Sequence, residues 1–225
     1  MGGSATSAGQ GRTSGIHQVL DRLAERWADG AYEAEAIRAR SEYLERGGKV
    51  FDDDAELFEA RMASFLEWYL IERPFDGGPP PVVRVLQDRD RQPELSDAER
   101  LDVARIAGSH RSLFDLVGLS GGVVELVDVI GGARFHVIER RGTRAFEVGD
   151  LFESRLVWDG QHVVFAKTFL FHPQDAREAT LRGVEAALDK GVPRDEILFQ
   201  MSRHHVRWHR LGHVGAARIY RGEGG

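Results

Sequence analysis

The clearest candidates for chemistry are three histidines near the C-terminus. His205, His209 and His213 recur every four residues, which places them on one side of a helix that extends past Gly212. Neutral imidazoles at this spacing bind zinc in helical metalloproteases, so the pattern suggests a histidine-ligated metalloenzyme as one alternative. That motif also carries a glutamate between its histidines, and this segment has none. We therefore favour packed or solvent-facing histidines, and expect no cofactor.

Arginines form a second pattern on the same predicted helix. Arg203, Arg207 and Arg210 fall within about 60° of one another on a helical wheel, and Arg218 follows them. From residue 202 to residue 221 there are five arginines and no acidic residue. Guanidinium groups bind phosphate in a bidentate manner, so this stripe makes a nucleic-acid-binding regulator the second alternative. The simpler interpretation is a solvated face, or one that pairs with the acidic N-terminal helices.

Trp158 is a candidate contact residue because it stands beside the predicted Asp159-Gly160 hairpin turn. An aromatic side chain at such a turn can stack on nucleic-acid bases or anchor a protein partner. More often such a residue covers the end of an apolar core, and we favour that interpretation for Trp158.

One further set has the residue types of a catalytic triad. Ser109 and His110 are adjacent, and Asp115 follows them closely. Residue types without geometry carry almost no weight for a triad. We therefore predict no catalytic residue and expect that the chain is not an enzyme.

Residues 112–172 are predicted to form a sheet. This sheet is the element that would position Trp158 and the neighbouring helices. Alternating apolar residues run up to Gly131-Gly132 and again on both sides of Asp159-Gly160, and both dipeptides are typical of tight hairpins. The segment therefore predicts a small five-stranded antiparallel β-barrel, SH3-like or OB-like, which has no exposed edges. Helical patterns precede and follow it, so the predicted fold class is α+β.

The predicted organisation has five parts. A Gly- and Ser-rich segment at the N-terminus cannot bury enough apolar surface to order itself, whereas helical periodicity begins at Ile16. Ser96 and Glu99 form a capping-box pattern before a short helix. The parts are a disordered tail at 1–15, an acidic helical region at 16–75, a linker and capped helix at 76–111, the barrel at 112–172, and a C-terminal helical pair with a basic tail at 173–225.

Composition excludes several classes of protein. The 225 residues include no cysteine, so disulfides, iron–sulfur clusters and thiolate zinc sites are excluded. No run approaches the roughly 18–20 apolar residues of a membrane span. We therefore expect a cytoplasmic protein that does not contact membranes. Residues 16–60 carry twelve acidic and six basic side chains, an acidic half that contrasts with the basic C-terminus.

The order of these elements resembles a group of uncharacterised bacterial proteins. The helix at 58–71, the proline-rich linker, the capped helix and the predicted barrel carry the resemblance. Those proteins pair a helical N-terminal region with a small barrel, and some end in a cysteine-rich SEC-C tail. This chain has no such tail, and the resemblance implies no activity.

Together these patterns predict a non-enzymatic cytoplasmic binding or adaptor protein. Its barrel and its basic C-terminal helix would be the contact surfaces for a macromolecular partner, most simply a protein. Nucleic acid is the alternative partner. Homo-oligomerisation is compatible with the apolar N-terminal helices, which can leave a stripe that the barrel does not cover.

Overall fold

A computed structural model describes residues 5–50, 55–88, 95–139 and 146–222 of the chain. In these ranges helices precede and follow a single sheet, so the fold class is α+β as predicted. The helices are α1 (Ala5–Ala28), α2 (Glu33–Gly47), α3 (Ala55–Ile71), α4 (Pro81–Gln87), α5 (Asp97–Ala107), α6 (Arg177–Asp189), α7 (Arg194–Arg210) and α8 (Ala216–Tyr220). The strands are β1 (His110–Ser120), β2 (Val123–Asp128), β3 (Arg134–Ile138), β4 (Leu151–Trp158) and β5 (Val163–His172).

The five strands found in the described ranges close on themselves in the order β1-β2-β3-β5-β4, and β4 pairs back with β1. Both predicted turn regions join antiparallel neighbours, β2 with β3 and β4 with β5. The first link is longer than the predicted two-residue turn. The carboxylate of Asp128 accepts bonds from Ile130 N and Gly131 N, each at 2.9 Å, so these two backbone groups bond to a side chain and not to a neighbouring strand.

The predicted purely antiparallel pairing is wrong, because β3 runs parallel to β5 where Val137 pairs with Val163. Strand parity explains the difference. Consecutive antiparallel strands alternate in direction, and an odd number of strands cannot alternate all the way around a closed ring. With the five strands described here, one neighbouring pair must therefore run parallel. The sheet is mixed as a result.

The helices pack on the strands at one part of the sheet. Helices α1 and α3 contact β5, α5 contacts β4, and α7 contacts β1. One apolar core lies among α1–α5 and reaches the outer face of β4 and β5 through Val157, Val164 and Ala166. A second core lies inside the sheet and is rich in phenylalanine, including Phe114 and Phe152. The sheet therefore has an apolar core on its inner face and a layer of helices on part of its outer face.

The helices α1–α3 form the larger core because their apolar residues recur at helical spacing. Trp27 of α1 stacks on Tyr32 with ring centroids 4.4 Å apart, and Phe75 meets Trp27 edge-on at 5.0 Å. The hydroxyl of Tyr69 donates to the carbonyl of Trp27 at 2.9 Å. These contacts fix the position of α3, which carries the acidic groups that face the sheet.

The element boundaries agree with the sequence in some places and differ in others. The predicted capping box is present, with the Ser96 hydroxyl bonded to Glu99 N and the Glu99 carboxylate bonded to Ser96 N. Helix α1 begins at Ala5, inside the segment predicted to be disordered, because a helix anchored by the core at Ile16 can propagate towards its N-terminus. Parts of the predicted regions lie outside the described residues, at 1–4, 51–54, 89–94, 140–145 and 223–225.

One further difference concerns the C-terminal region. A third short helix, α8, follows the predicted pair and packs against α6 and α7. Within the described ranges, no helix combines the length and the apolar character needed to cross a membrane.

Candidate functional site

The arginines predicted to form a nucleic-acid stripe contact a neighbouring helix. Arg203 donates to the carbonyl of Arg46, and Arg210 donates to the carbonyl of Lys49. Carbonyls at the C-terminal end of a helix have no partner within it, and cationic side chains there are favourable. These two arginines therefore fasten α7 to the end of α2. Arg207 is half-buried, and Arg218 is exposed.

The three histidines predicted to share a helix face do not all lie on one helix. Helix α7 ends at Arg210, so His213 lies beyond it. His205 is buried and His209 is exposed, with their ring centroids 4.6 Å apart. Among the described residues, no group of three or more histidine or carboxylate side chains is arranged to hold a metal ion. The spacing argument required a helix that continues past Gly212, and this condition is not met.

His205 instead joins a buried contact between the sheet and the last helices. The Nδ1 atom of His172, at the end of β5, lies 2.7 Å from the Tyr220 hydroxyl of α8. The rings of His172 and His205 meet edge-on at 5.9 Å. Burial lowers the pKa of His172 to about 3, and burial followed by the charge of His172 lowers the pKa of His205 to about 2. Both rings are therefore neutral near pH 7 and act as packing groups.

The predicted contact residue Trp158 is exposed, with 54% of its surface accessible. It ends β4, next to a turn in which the buried carboxylate of Asp159 accepts bonds from Gln161 N at 2.7 Å and His162 N at 2.8 Å. The turn is therefore well ordered. Of the seven large apolar side chains that are exposed in the described ranges, four lie on the sheet or in the link before β4, namely Val117, Val148, Trp158 and Phe171.

A buried set of charges, which sequence reasoning missed, lies between α3 and the sheet. We call it the ionic centre, and it consists of Glu67, Glu72, Arg111, Glu153 and Arg155. Arg111 Nε donates to Glu153 Oε1 at 2.9 Å, and Arg155 Nε lies 3.3 Å from Glu67 Oε2. Arg155 is 2% exposed, and Glu67, Arg111 and Glu153 are also buried, whereas Glu72 is partly exposed.

The strand register explains why Glu72 is needed in the ionic centre. Arg111 on β1 lies directly opposite Arg155 on β4, and two like charges in such a pair repel. Glu72 bonds to both arginines, with its Oε2 3.1 Å from Arg111 Nη1. Burial raises the pKa of Glu72, but the two guanidinium groups outweigh burial and hold the pKa below its ordinary value. Glu72 is therefore the ionised bridge of the centre.

A solvent-open cavity of about 270 Å³ adjoins the ionic centre, between α3, α5, β1, β4 and α7. Its floor is partly apolar, with Ile71, Ala107 and Leu198. The ionisable side chains that line it are Glu72, His110, Arg111, Arg155, Arg194 and Asp195. Concave sites with a few converging polar groups are where ligands usually bind.

His110, at one wall of the cavity, bonds to Asp128 and not to Asp115, which the triad-like sequence pattern suggested. Its Nε2 atom lies 2.8 Å from Asp128 Oδ2, whereas Asp115 binds Arg177 through both carboxylate oxygens. The hydroxyl of Ser109 donates to the carbonyl of Ile106, so the three residues do not form a triad. Arg194 Nη1 lies 3.1 Å from Nδ1 and 2.9 Å from Nε2 of the same ring, so the imidazole is held between Asp128 and Arg194.

Asp128 anchors this wall from inside the protein, where it is 1% exposed. Burial pushes its pKa upward, but bonds from His110, Ser112 and Gly131 N hold the pKa well below its usual range. The carboxylate is therefore ionised and fixes both His110 and the turn after β2. Its bonds within the turn are local, but its bond to His110 spans 18 positions, so sequence reasoning missed its role at this wall.

The fold and these sites define an α+β protein with a closed mixed sheet, an ionic centre beneath a helical layer, and an open polar cavity beside it. A family of unknown function, DUF7986, matches residues 14–206, so the chain belongs to this family. No curated protein and no solved structure matches the chain.

Proposed function

We propose that the chain is a non-enzymatic cytoplasmic binding or adaptor protein that presents its sheet to a macromolecular partner, most simply another protein. The observation that supports this proposal is the placement of exposed apolar side chains. Four of the seven in the described ranges belong to the sheet or to the link before β4, and Trp158 is more than half exposed. Aromatic residues of this kind are over-represented among the residues that dominate binding energy.

The surroundings of the ionisable groups favour binding over catalysis. His172 and His205 have strongly lowered pKa values, and burial removes them from proton exchange near pH 7. A general base works best when its pKa lies near the operating pH. The ring nitrogens of His110 both have neighbours, Asp128 and Arg194.

We further infer that the sheet is a small barrel of the OB-like kind. Its support is the strand order, in which β1 pairs with both β2 and β4 and β3 lies beside β5. OB-folds are five-stranded Greek-key barrels that bind ligands on strands 2–3 and on the loops between strands 1–2 and 4–5. Trp158 stands at the entrance to the β4–β5 loop.

The test is affinity capture on the full chain, with Trp158→Ala compared against Ile37→Ala. Ile37 is 49% exposed but lies on α2, away from the sheet, so it controls for the loss of an exposed apolar side chain. We expect wild type and Ile37→Ala to retain the same protein from native lysate after nuclease treatment, and Trp158→Ala to retain at least about tenfold less. Equal retention by both variants would refute the role of the sheet.

A nucleic-acid-binding regulator is the second candidate, and the position of Trp158 at the β4–β5 loop favours it. Base stacking on an aromatic side chain contributes about 1–3 kcal/mol per base. Single-stranded oligonucleotides would then bind with an affinity that falls steeply with salt, and Trp158→Ala would weaken the binding. Fluorescence anisotropy measures both effects, and salt-insensitive or undetectable binding excludes this candidate.

A further inference from the structure

The cavity beside the ionic centre has a charge balance that restricts what it can bind. The groups that line it, together with their direct ion-pair partners, comprise four arginines and five carboxylates. The arginines are Arg46, Arg111, Arg155 and Arg194, and the carboxylates are Glu67, Glu72, Asp128, Glu153 and Asp195. Among these arginines and carboxylates, the carboxylates are in excess by one. A simple anion such as phosphate is therefore disfavoured, and a ligand with a cationic group is favoured.

Arg194 is the arginine of the cavity with the most donor capacity left. Its Nη1 atom contacts the ring of His110, and its Nη2 atom stands 3.5 Å from Asp128 Oδ2, beyond hydrogen-bond distance. Arg111 and Arg155, in contrast, each bond to two carboxylates at shorter range and are almost fully buried. With 37% of its side chain exposed, Arg194 can reach a carboxylate in the cavity.

Two carboxylates of the cavity retain acceptor capacity. Glu72 is 28% exposed, and each of its oxygens accepts one bond from an arginine. Asp195 is 50% exposed and bonds to Arg46 through Oδ2 at 2.8 Å. A carboxylate accepts about four hydrogen bonds, so both can take donors from a ligand. The cavity thus offers a cationic donor and anionic acceptors at the same time.

We propose that this cavity binds a small zwitterion, a free α-amino acid, with its carboxylate on Arg194 and its ammonium group on Glu72 and Asp195. The apolar floor formed by Ile71, Ala107 and Leu198 receives the ligand's side chain. This ligand satisfies the donor and the acceptors together and adds no net charge to surroundings in which the carboxylates outnumber the arginines.

The test uses the full chain with a panel of the free standard amino acids, first by thermal shift and then by isothermal titration calorimetry. At least one amino acid is expected to raise the Tm and to bind. Its carboxamide, which lacks the carboxylate, and its N-acetyl derivative, which lacks the ammonium group, are each expected to bind about tenfold or more weakly, because a charged hydrogen-bond partner is lost.

Variants of the protein test which residues bind the carboxylate and the ammonium group of the ligand. Arg194→Gln is expected to weaken binding about tenfold or more, and Asp195→Asn is expected to weaken it as well. Asp195 is half exposed, so its variant decides the matter if Arg194→Gln fails to fold. Arg182→Gln is the matched control, because Arg182 is exposed on α6 and pairs with Glu178. The proposal is overturned if no amino acid binds, if the single-charge analogues bind equally well, or if the cavity variants bind like wild type.

Discussion

The arginines of the ionic centre and those of α7 carry the same side chain in opposite surroundings. Arg111 and Arg155 lie inside the protein and pair with carboxylates from α3, from the residue that follows α3 and from β4. Arg203 and Arg210 lie at the surface and bond to carbonyls at the end of α2. Both sets join helices to another part of the fold. The surface arginines are recognisable in the sequence as a stripe on one helix, whereas the buried arginines are scattered in strands. We expect the buried set to have the larger influence on stability.

Replacing one arginine from each set measures this difference. Arg155→Met leaves the buried carboxylate of Glu67 without its cationic partner, so we expect the free energy of unfolding to fall by about 3–5 kcal/mol. Arg203→Met is the matched control and should cost about 1 kcal/mol or less. Urea unfolding followed by circular dichroism gives both values. Equal losses would show that the ionic centre has no special role in stability.

The buried histidines should make the stability of the protein depend on pH. In the unfolded chain a histidine has a pKa of about 6.5, whereas the pKa of His205 in the folded protein is about 2. The unfolded state therefore takes up a proton as the pH falls below about 6.5 and the folded state does not, so stability falls with decreasing pH. At pH 5 this single group removes about 2 kcal/mol.

His205→Gln should flatten the decline between pH 6.5 and pH 5, a window above the usual titration range of carboxylates. His136→Gln is the control, because His136 is exposed on β3. Urea unfolding at several pH values gives both slopes. A decline in His205→Gln as steep as that of wild type would mean that His205 is protonated in the folded state.

The smallest of the three effects concerns the packing of another buried arginine. Arg61 is 1% exposed and bonds to the hydroxyl groups of Tyr43, at 3.1 Å, and Ser202, at 2.9 Å. A Cβ atom on Gly47 would lie 2.3 Å from Arg61 Nη2 and 3.3 Å from Phe199 Cδ1. Gly47→Ala should therefore cost about 1–2 kcal/mol, although alanine is the better helix former.

Gly183 provides the matched control for this substitution. It lies inside α6, and nothing is within 4 Å of the Cβ that alanine would add. Gly183→Ala should stabilise the protein by about 0.5–1 kcal/mol. Thermal and urea unfolding of the two variants give opposite signs if the packing of Arg61 is rigid. A stabilised Gly47→Ala variant would show that Arg61 moves aside easily.

Local signals predicted the elements well, because their causes are local. The capping box of Ser96 and Glu99 and the turn at Asp159-Gly160 each depend on a few neighbouring residues, and both are where the sequence placed them. Trp158 differs from the interpretation that the sequence favoured, because a side chain that is 54% exposed does not cover the end of the apolar core. The parallel pair of β3 and β5 was missed, because it follows from closing an odd number of strands, a property of the whole ring.

The candidate site was harder to predict, because its partners are far apart in sequence. Arg155 and Glu67 are separated by 88 positions, and Arg194 and His110 by 84. One signal was available. Glu153 and Arg155 stand in a strand whose residues are apolar on both sides, and charges in such a strand must be paired when buried. The partners, Arg111 on β1 for Glu153 and Glu67 on α3 for Arg155, were not deducible, since no rule of spacing links those elements to β4.

The ring of strands closes between β3 and β5 over a short stretch. In the described part of the chain, β3 joins β5 through Val137 and Val163, and the same Val163 pairs with Trp158 across the β4–β5 hairpin. The most exposed aromatic side chain of the sheet therefore sits one residue pair from the place where the ring is fastened. A partner bound at Trp158, as proposed above, would also stabilise the β3–β5 pairing, so that partner binding and closure of the ring would be linked equilibria.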